Sequence, residues 1–264
     1  GATNVNGLSD GLVEDNSMYI GNDPSSSTST AEYNVAVGTT ALDAVTTGGR
    51  NVAIGYNALT ANTSGNYNTA VGESALRYST TASYNTGVGY NSLSDNTSGT
   101  ANSGLGSGTL VLNTTGSNNT AVGKDALKLN KTGSRNLAIG TGALDAPDTE
   151  SDNIAIGYDA LGGSIAGGEY NVAIGNYSLD ANTSGDGVVA IGHDALTANT
   201  TGSYNVAVGY DAMKANTTGT RNVVLGYQAL LTNIDGNNNT AIGNYSLDAA
   251  TSGDNNTATG YDAL

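Results

Sequence analysis

Two columns of aromatic and guanidinium side chains hold most of the chemical potential of this chain. Tyr56, Tyr90, Tyr158, Tyr210, Tyr227 and Tyr261 each follow a regularly spaced glycine by one residue, and His193 occupies the same place. Tyr33, Arg50, Tyr67, Tyr84, Arg135, Tyr170, Tyr204 and Arg221 each precede such a glycine by five. Phenol rings and guanidinium groups stacked on a rigid lattice can bind a sugar or a receptor protein. They can equally cover an interface between chains, with cation–π contacts between neighbours. Both readings attach to Tyr33, Arg50, Tyr56, Tyr67, Tyr84, Tyr90, Tyr158, Tyr170, Tyr204, Tyr210, Arg221 and Tyr227. His193 is the single histidine and has no companion cluster for a metal or a nucleophile. Asp125, Asp159, Asp194, Asp211 and Asp262 stand two after the glycine. A carboxylate pair could hydrolyse a glycan, but a catalytic pair would break the repeat and these follow it. With Asp235 and Asp254 they lack the spacing of a calcium loop and read as solvated charge. Lys124, Lys128, Lys131 and Arg135 form a local basic patch, also read as solvated. No catalytic, cofactor-binding or metal residue is assigned, and the chain is read as no enzyme.

The elements that position these columns come from a repeat. The glycines run from Gly21 to Gly260 at intervals of 17 residues, with one interval of 18 between Gly157 and Gly175. From Gly38 onward Asn stands four before the glycine in 13 of 14 coils, the exception being Val188. Ala stands two before it in 11 coils, with Gly87, Gly104 and Val224 in the others. Leu stands four after it in 13 coils and Met213 in the remaining one. A short period repeated this often means stacked coils. Val-Ala-Ile-Gly has strand patterning, and Asn-Thr-Ser-Gly is turn chemistry in which glycine permits a positive φ. The unit therefore predicts a strand, a bend at the repeat glycine, a second short strand around Ala-Leu and a polar turn. Parallel stacking of about 15 coils gives a rod of roughly 70 Å, with Leu, Val/Ile and Asn as continuous ladders. The fold class is all-β, a parallel β-solenoid or β-roll. Residues 1–20 are read as an N-terminal cap or junction, 21–264 as the repeat domain, 22–31 as a looped first coil, and 162–169 as the bulge that absorbs the extra residue.

Composition agrees with a narrow interior. There are 38 Gly, no Phe, no Trp and no Cys. The net charge of −15 disfavours nucleic acid and anionic membranes. No apolar run is long enough for a membrane helix, so no insertion is expected from this segment. The chain is read as a mature or excised piece of a longer protein. Asn-x-Thr/Ser triplets such as Asn62-Thr63-Ser64 could accept glycans in a eukaryotic secreted protein; turn residues copied with the repeat are the preferred reading. The branched strand face is expected to fill the interior with Leu, which leaves a flat Ala/Gly face. Such a face admits another backbone closely, and the thin core gains from added burial. These residues favour a homotrimer over a free monomer. Ice binding is weighed and disfavoured, because Thr63-Ser64 and its equivalents are adjacent and point to opposite faces.

Asn-Val-Ala-Ile-Gly followed by Ala-Leu, as at 51–59, resembles the head repeats of trimeric autotransporter adhesins, the YadA-like head. It resembles more closely the Asn-Thr-Ala-Val-Gly, Ala-Leu arrays of phage-type tail fibres that end in a self-cleaving chaperone domain. The opening segment Gly7-Leu8-Ser9-Asp10-Gly11 to Tyr19-Ile20-Gly21 is similar to the start of such arrays. The resemblance covers essentially the whole chain and implies a homotrimer of left-handed β-rolls used for adhesion. Expected from all this is an extracellular, non-catalytic fibre segment on a bacterial surface or a virion. Its expected partners are its own copies and a host-surface glycan or protein receptor, with no cofactor. The alternatives are a glycan- or ice-binding solenoid and, further off, a glycan-cleaving tailspike-type enzyme.

Overall fold

The computed structural model describes residues 11–14, 16–21, 30–163 and 167–263. The segment read as the looped first coil lies largely outside them, as do the middle of the bulge, 164–166, and Gly7-Leu8-Ser9-Asp10 of the opening segment. The chain divides into two compact units, 1–133 and 134–264. Apart from an opening pair, both are built from parallel strands of three residues, so the molecule is all-β and a parallel β-solenoid with the 17-residue repeat. The first unit opens on β1 (Gly11–Glu14) and β2 (Ser17–Ile20), an antiparallel pair in which Glu14 lies opposite Ser17. From β2 the pairing turns parallel through β3 (Val35–Val37), β4 (Val52–Ile54), β5 (Thr69–Val71), β6 (Thr86–Val88), β7 (Ser103–Leu105) and β8 (Thr120–Val122). The second unit stacks β9 (Leu137–Ile139), β10 (Ile154–Ile156), β11 (Val172–Ile174), β12 (Val189–Ile191), β13 (Val206–Val208), β14 (Val223–Leu225), β15 (Thr240–Ile242) and β16 (Thr257–Thr259) the same way. The extra residue before Gly175 leaves the register intact: Ala155 still pairs with Ala173.

The strand face differs from expectation. Ala two before the glycine points inward and is buried in every coil that has it, whereas Val and Ile at the flanking positions point outward. The reason is width. A coil with so short a strand brings the opposite wall, made of Ala and Leu three and four after the glycine, within a methyl group of the strand. Where the inward residue is Gly104, a Cβ would lie 2.6 Å from Ser92 Oγ and 2.7 Å from Thr109 Oγ1. Those two hydroxyls occupy what is elsewhere an Ala–Ala contact, so the volume is shared differently and kept. The Leu column, from Leu42 to Leu230 and including Met213, is fully buried as expected. Tyr19, in register with Ala36, is fully buried too and fills the interior beside β3 with a single ring.

The second strand around Ala-Leu does not form. The residues two and four after the glycine have φ near +55, as in Ser74 and Leu76 (φ 58 and 52), and so do those five before it, as in Tyr67 and Tyr84 (φ 58 and 63). Extended backbone needs negative φ. A non-glycine residue in this region costs about 1–2 kcal/mol, and the turn places its N–H against a neighbouring coil. Tyr67 donates to Gly49 O at 3.2 Å, Ser74 to Tyr56 O at 2.8 Å and Leu76 to Ser92 O at 2.9 Å. Hydrogen bonding between coils therefore continues through the turns as well as the sheet. The repeat glycine is required twice over: at Gly72 (φ +133) a Cβ would also lie 2.5 Å from Gly89 O.

The turn glycine has a different role from the one expected. Gly185 and its equivalents do not adopt positive φ; a Cβ at Gly185 would meet Asn182 Oδ1 and Gly202 O, both at 2.6 Å. Glycine is there for close approach of coils. Two buried asparagine ladders run beside it. In the first, Asn51 Oδ1 accepts from Asn68 N at 2.9 Å while Asn68 Nδ2 donates to Ala82 O at 2.8 Å. In the second, Asn113 Nδ2 donates to Asn96 Oδ1 at 2.7 Å and to Gly116 O at 2.9 Å. Asn62 of the Asn-x-Ser triplet belongs to this second set and is fully buried, so in the folded chain it is closed to a glycan.

Candidate functional site

The outward column five before the glycine makes a cation–π ladder in the first unit. The Arg50 guanidinium lies 5.1 Å from the Tyr33 ring and 5.4 Å from the Tyr67 ring. Tyr67 then stacks on Tyr84 at 5.1 Å and 5°. All sit at positive φ, which swings successive side chains out along one line. In the second unit the column is broken into pairs. Arg135 binds Asp152 through Nε and a terminal nitrogen, each at 2.6 Å, and Arg221 lies 5.8 Å from the Tyr204 ring. Tyr170 stands between these pairs, one coil from Gly187.

The column one after the glycine behaves in the opposite way. In the first unit Tyr56 and Tyr90 are two coils apart with Glu73 between them, and the structure does not bring them together. In the second unit seven rings run in contact: Tyr158, Tyr177, His193, Tyr210, Tyr227, Tyr245 and Tyr261. Their centroids are 5.3–5.9 Å apart. His193–Tyr210 and Tyr210–Tyr227 are face to face at 13° and 16°; the four pairs that include Tyr177 or Tyr245 meet edge on, at 72–81°.

Tyr177 and Tyr245 escaped the column reading because they stand two, not one, after the glycine. The signal was present: Gly-Asn-Tyr-Ser-Leu occurs twice, at 175–179 and 243–247. There the Asn side chain accepts the preceding coil's N–H, from Tyr158 at 2.9 Å and from Tyr227 at 3.0 Å. The displaced Tyr reaches back into the stack from the next position. His193, read as an isolated surface residue, is a member of the array. Arg77 and Tyr78, in other columns, form a further cation–π pair at 4.9 Å.

Carboxylates flank the second-unit array. Lys214 Nζ bridges Asp194 and Asp211 at 2.8 and 3.0 Å, and His193 Nδ1 lies 3.4 Å from Asp194 Oδ1. Burial, and then the charges of Asp159 and Asp194, push the Asp180 carboxyl above its ordinary value. The charge of Asp159 raises the Tyr158 phenol above its ordinary value. The expected basic patch is largely paired with acids: Lys124 and Lys128 both contact Asp125, and Arg135 holds Asp152. Among the described residues no three His, Asp or Glu side chains converge where a metal ion could sit, and no helix is long and apolar enough to cross a membrane. The Thr turn hydroxyls are tied to the next coil at the surface, with Thr63 donating to Thr80 O at 3.1 Å and Thr200 to Thr217 O at 2.9 Å.

Compared with known proteins, the chain has no match among family models, curated sequences or solved structures.

Proposed function

We propose that this chain is a non-catalytic, structural and adhesive fibre segment that acts outside a cell or on a virion as a homotrimer. The observation that carries the reading is the outward sheet face. Side chains such as Val35 and Val37, or Val223 and Leu225, project in pairs from successive strands, and Ile54, Leu105, Ile139, Val223, Leu225 and Ile242 are well exposed. Contiguous aliphatic surface of this kind favours association. The interface is thus assigned to the branched columns, and the small Ala and Gly residues, which lie inside, take no part in it. The resemblance of Asn-Val-Ala-Ile-Gly and Ala-Leu to adhesin-head and tail-fibre repeats supports the same assembly. The aromatic ladders would then be the surface offered to a host receptor. The Thr hydroxyls, already donated to carbonyls of the next coil, weigh against ice binding, and the face-to-face rings, which cover one another, weigh against sugar stacking. Light scattering tests the reading. A solution mass near three times 26.2 kDa is expected; a mass near 26.2 kDa overturns the trimer.

A further inference from the structure

The first-unit ladder shows what this lattice does with a cation. Arg50 stands between two tyrosines one coil to either side, Tyr33 and Tyr67. The same column in the second unit reads Tyr170, Gly187, Tyr204, so the two rings are present and the position between them has no side chain. The backbone is equivalent. Gly187 has φ 61 and donates to Glu169 O at 3.1 Å; Arg50 has φ 60 and donates to Glu32 O at 2.9 Å. Ring exposure reports the difference. Tyr33 and Tyr67, which flank Arg50, are 49% and 48% exposed, whereas Tyr170 and Tyr204 are 63% and 59% exposed. Tyr84, followed by Ala101, is similarly open at 62% and has no second ring two coils on.

We propose that the Tyr170–Gly187–Tyr204 notch is a docking slot for an arginine side chain of a protein partner, in the place that Arg50 occupies between Tyr33 and Tyr67. Two coils span about 9.5 Å, the interval at which Arg50 is held. Glu169 and Asp186, the residues just before Tyr170 and Gly187, put acidic side chains next in sequence to the notch, as Glu32 stands before Tyr33. Tyr204 leans over the glycine: a Cβ at 187 would lie 3.1 Å from its Cδ1 and 3.3 Å from its Cε1. Entry of the guanidinium returns that ring to the posture of Tyr67. A planar guanidinium can stack on both rings at once, which a lysine ammonium cannot. The slot stands on the column geometry and does not depend on the fibre reading.

The test is an NMR titration of the full chain, labelled at tyrosine, with N-acetyl-arginine amide and with N-acetyl-lysine amide as the charge control. The ring signals of Tyr170 and Tyr204 are expected to shift with the arginine probe, while that of Tyr84 shifts less. Two exposed cation–π contacts give arginine about a 5- to 30-fold advantage over a probe that makes neither. Gly187→Arg, whose backbone Arg50 shows to be accessible, is expected to fold, to shift the same two rings without any probe and to abolish the response. Tyr170→Ala is expected to lose it as well. Equal response to arginine and lysine would reduce the effect to attraction by a chain of net charge −15 and overturn the slot. So would an unchanged response in a folded Gly187→Arg, or no movement of Tyr170.

Discussion

The two units share one coil but ladder different columns. In the first, contact runs along the column five before the glycine, through Tyr33, Arg50, Tyr67 and Tyr84, while Tyr56 and Tyr90 stay apart. In the second, contact runs from Tyr158 to Tyr261 beside the glycine, while the other column is interrupted at Gly187. The scaffold thus fixes where a side chain emerges and leaves its identity open. A ladder exists wherever successive coils happen to carry partners, and a single small residue ends it. The interior shows the opposite rule, since a change at Gly87 or Gly104 is matched at Ser92 and Thr109.

The largest effects should come from breaking what both units share. Leu127→Asp in the first and Leu196→Asp in the second place an unpaired carboxylate in the fully buried column and should each cost several kcal/mol, visible as loss of the cooperative thermal transition. A melt unchanged from the parent would refute the inward Leu ladder. Next comes the asparagine ladder, intact through the first unit and interrupted in the second at Val188, whose N–H donates to Asn171 Oδ1 at 2.9 Å but whose side chain has no oxygen to accept from the next coil. Val188→Asn can also reach the carbonyl of Gly202 and should add about 1 kcal/mol; a lower denaturation midpoint would contradict the relay. Removing one ring from either ladder, by Tyr67→Ala or Tyr210→Ala, should cost about 0.5–1.5 kcal/mol, and an equal loss for Tyr56→Ala, which lacks a ring neighbour, would show that stacking contributes nothing. Ala101→Gly, at φ 56, should gain about 0.5–1 kcal/mol by relieving the left-handed alanine.

The smallest effect distinguishes the units by pH. Glu150 stands where most other coils have the turn glycine. Burial raises its carboxyl, but N–H groups of Thr149, Asp148 and Gly167 outweigh that and hold it below the ordinary 4.5. A lowered native value means its contribution is complete above pH 4.5 and fades as pH falls through that native value. Glu150→Gln should flatten this acid limb in a melting-temperature profile; an identical profile would remove Glu150 as its source.

Much of this architecture was legible in the sequence, because columns that keep phase for over 200 residues must stack. The Leu and Asn ladders followed directly. Facing did not, since alternation of Ala with Val fixes two faces but not which one is inside; that depends on how close the opposite wall comes. The missing second strand had half a signal: the position two after the glycine is mostly Asn, Asp or Gly, as at Asn57, Asp125 and Gly142, which accept positive φ, whereas the Leu four after it, such as Leu76, is not a residue that favours positive φ. The site was half legible: columns were visible, but contact depended on occupancy by neighbours and on Tyr177 and Tyr245 reaching across from the adjacent position.

The buried asparagines also bear on how such a protein ages. Asparagine decays when the next residue's backbone nitrogen attacks its side-chain carbonyl, fastest when that residue is glycine. In both ladders the next residue is never glycine. In the first, that nitrogen is committed across the coils: Val52 N is held by Asn68 O, and Thr69 N by Asn85 O, both at 2.8 Å. The amide on which the fold most relies is kept in the place where its own decay chemistry is slowest.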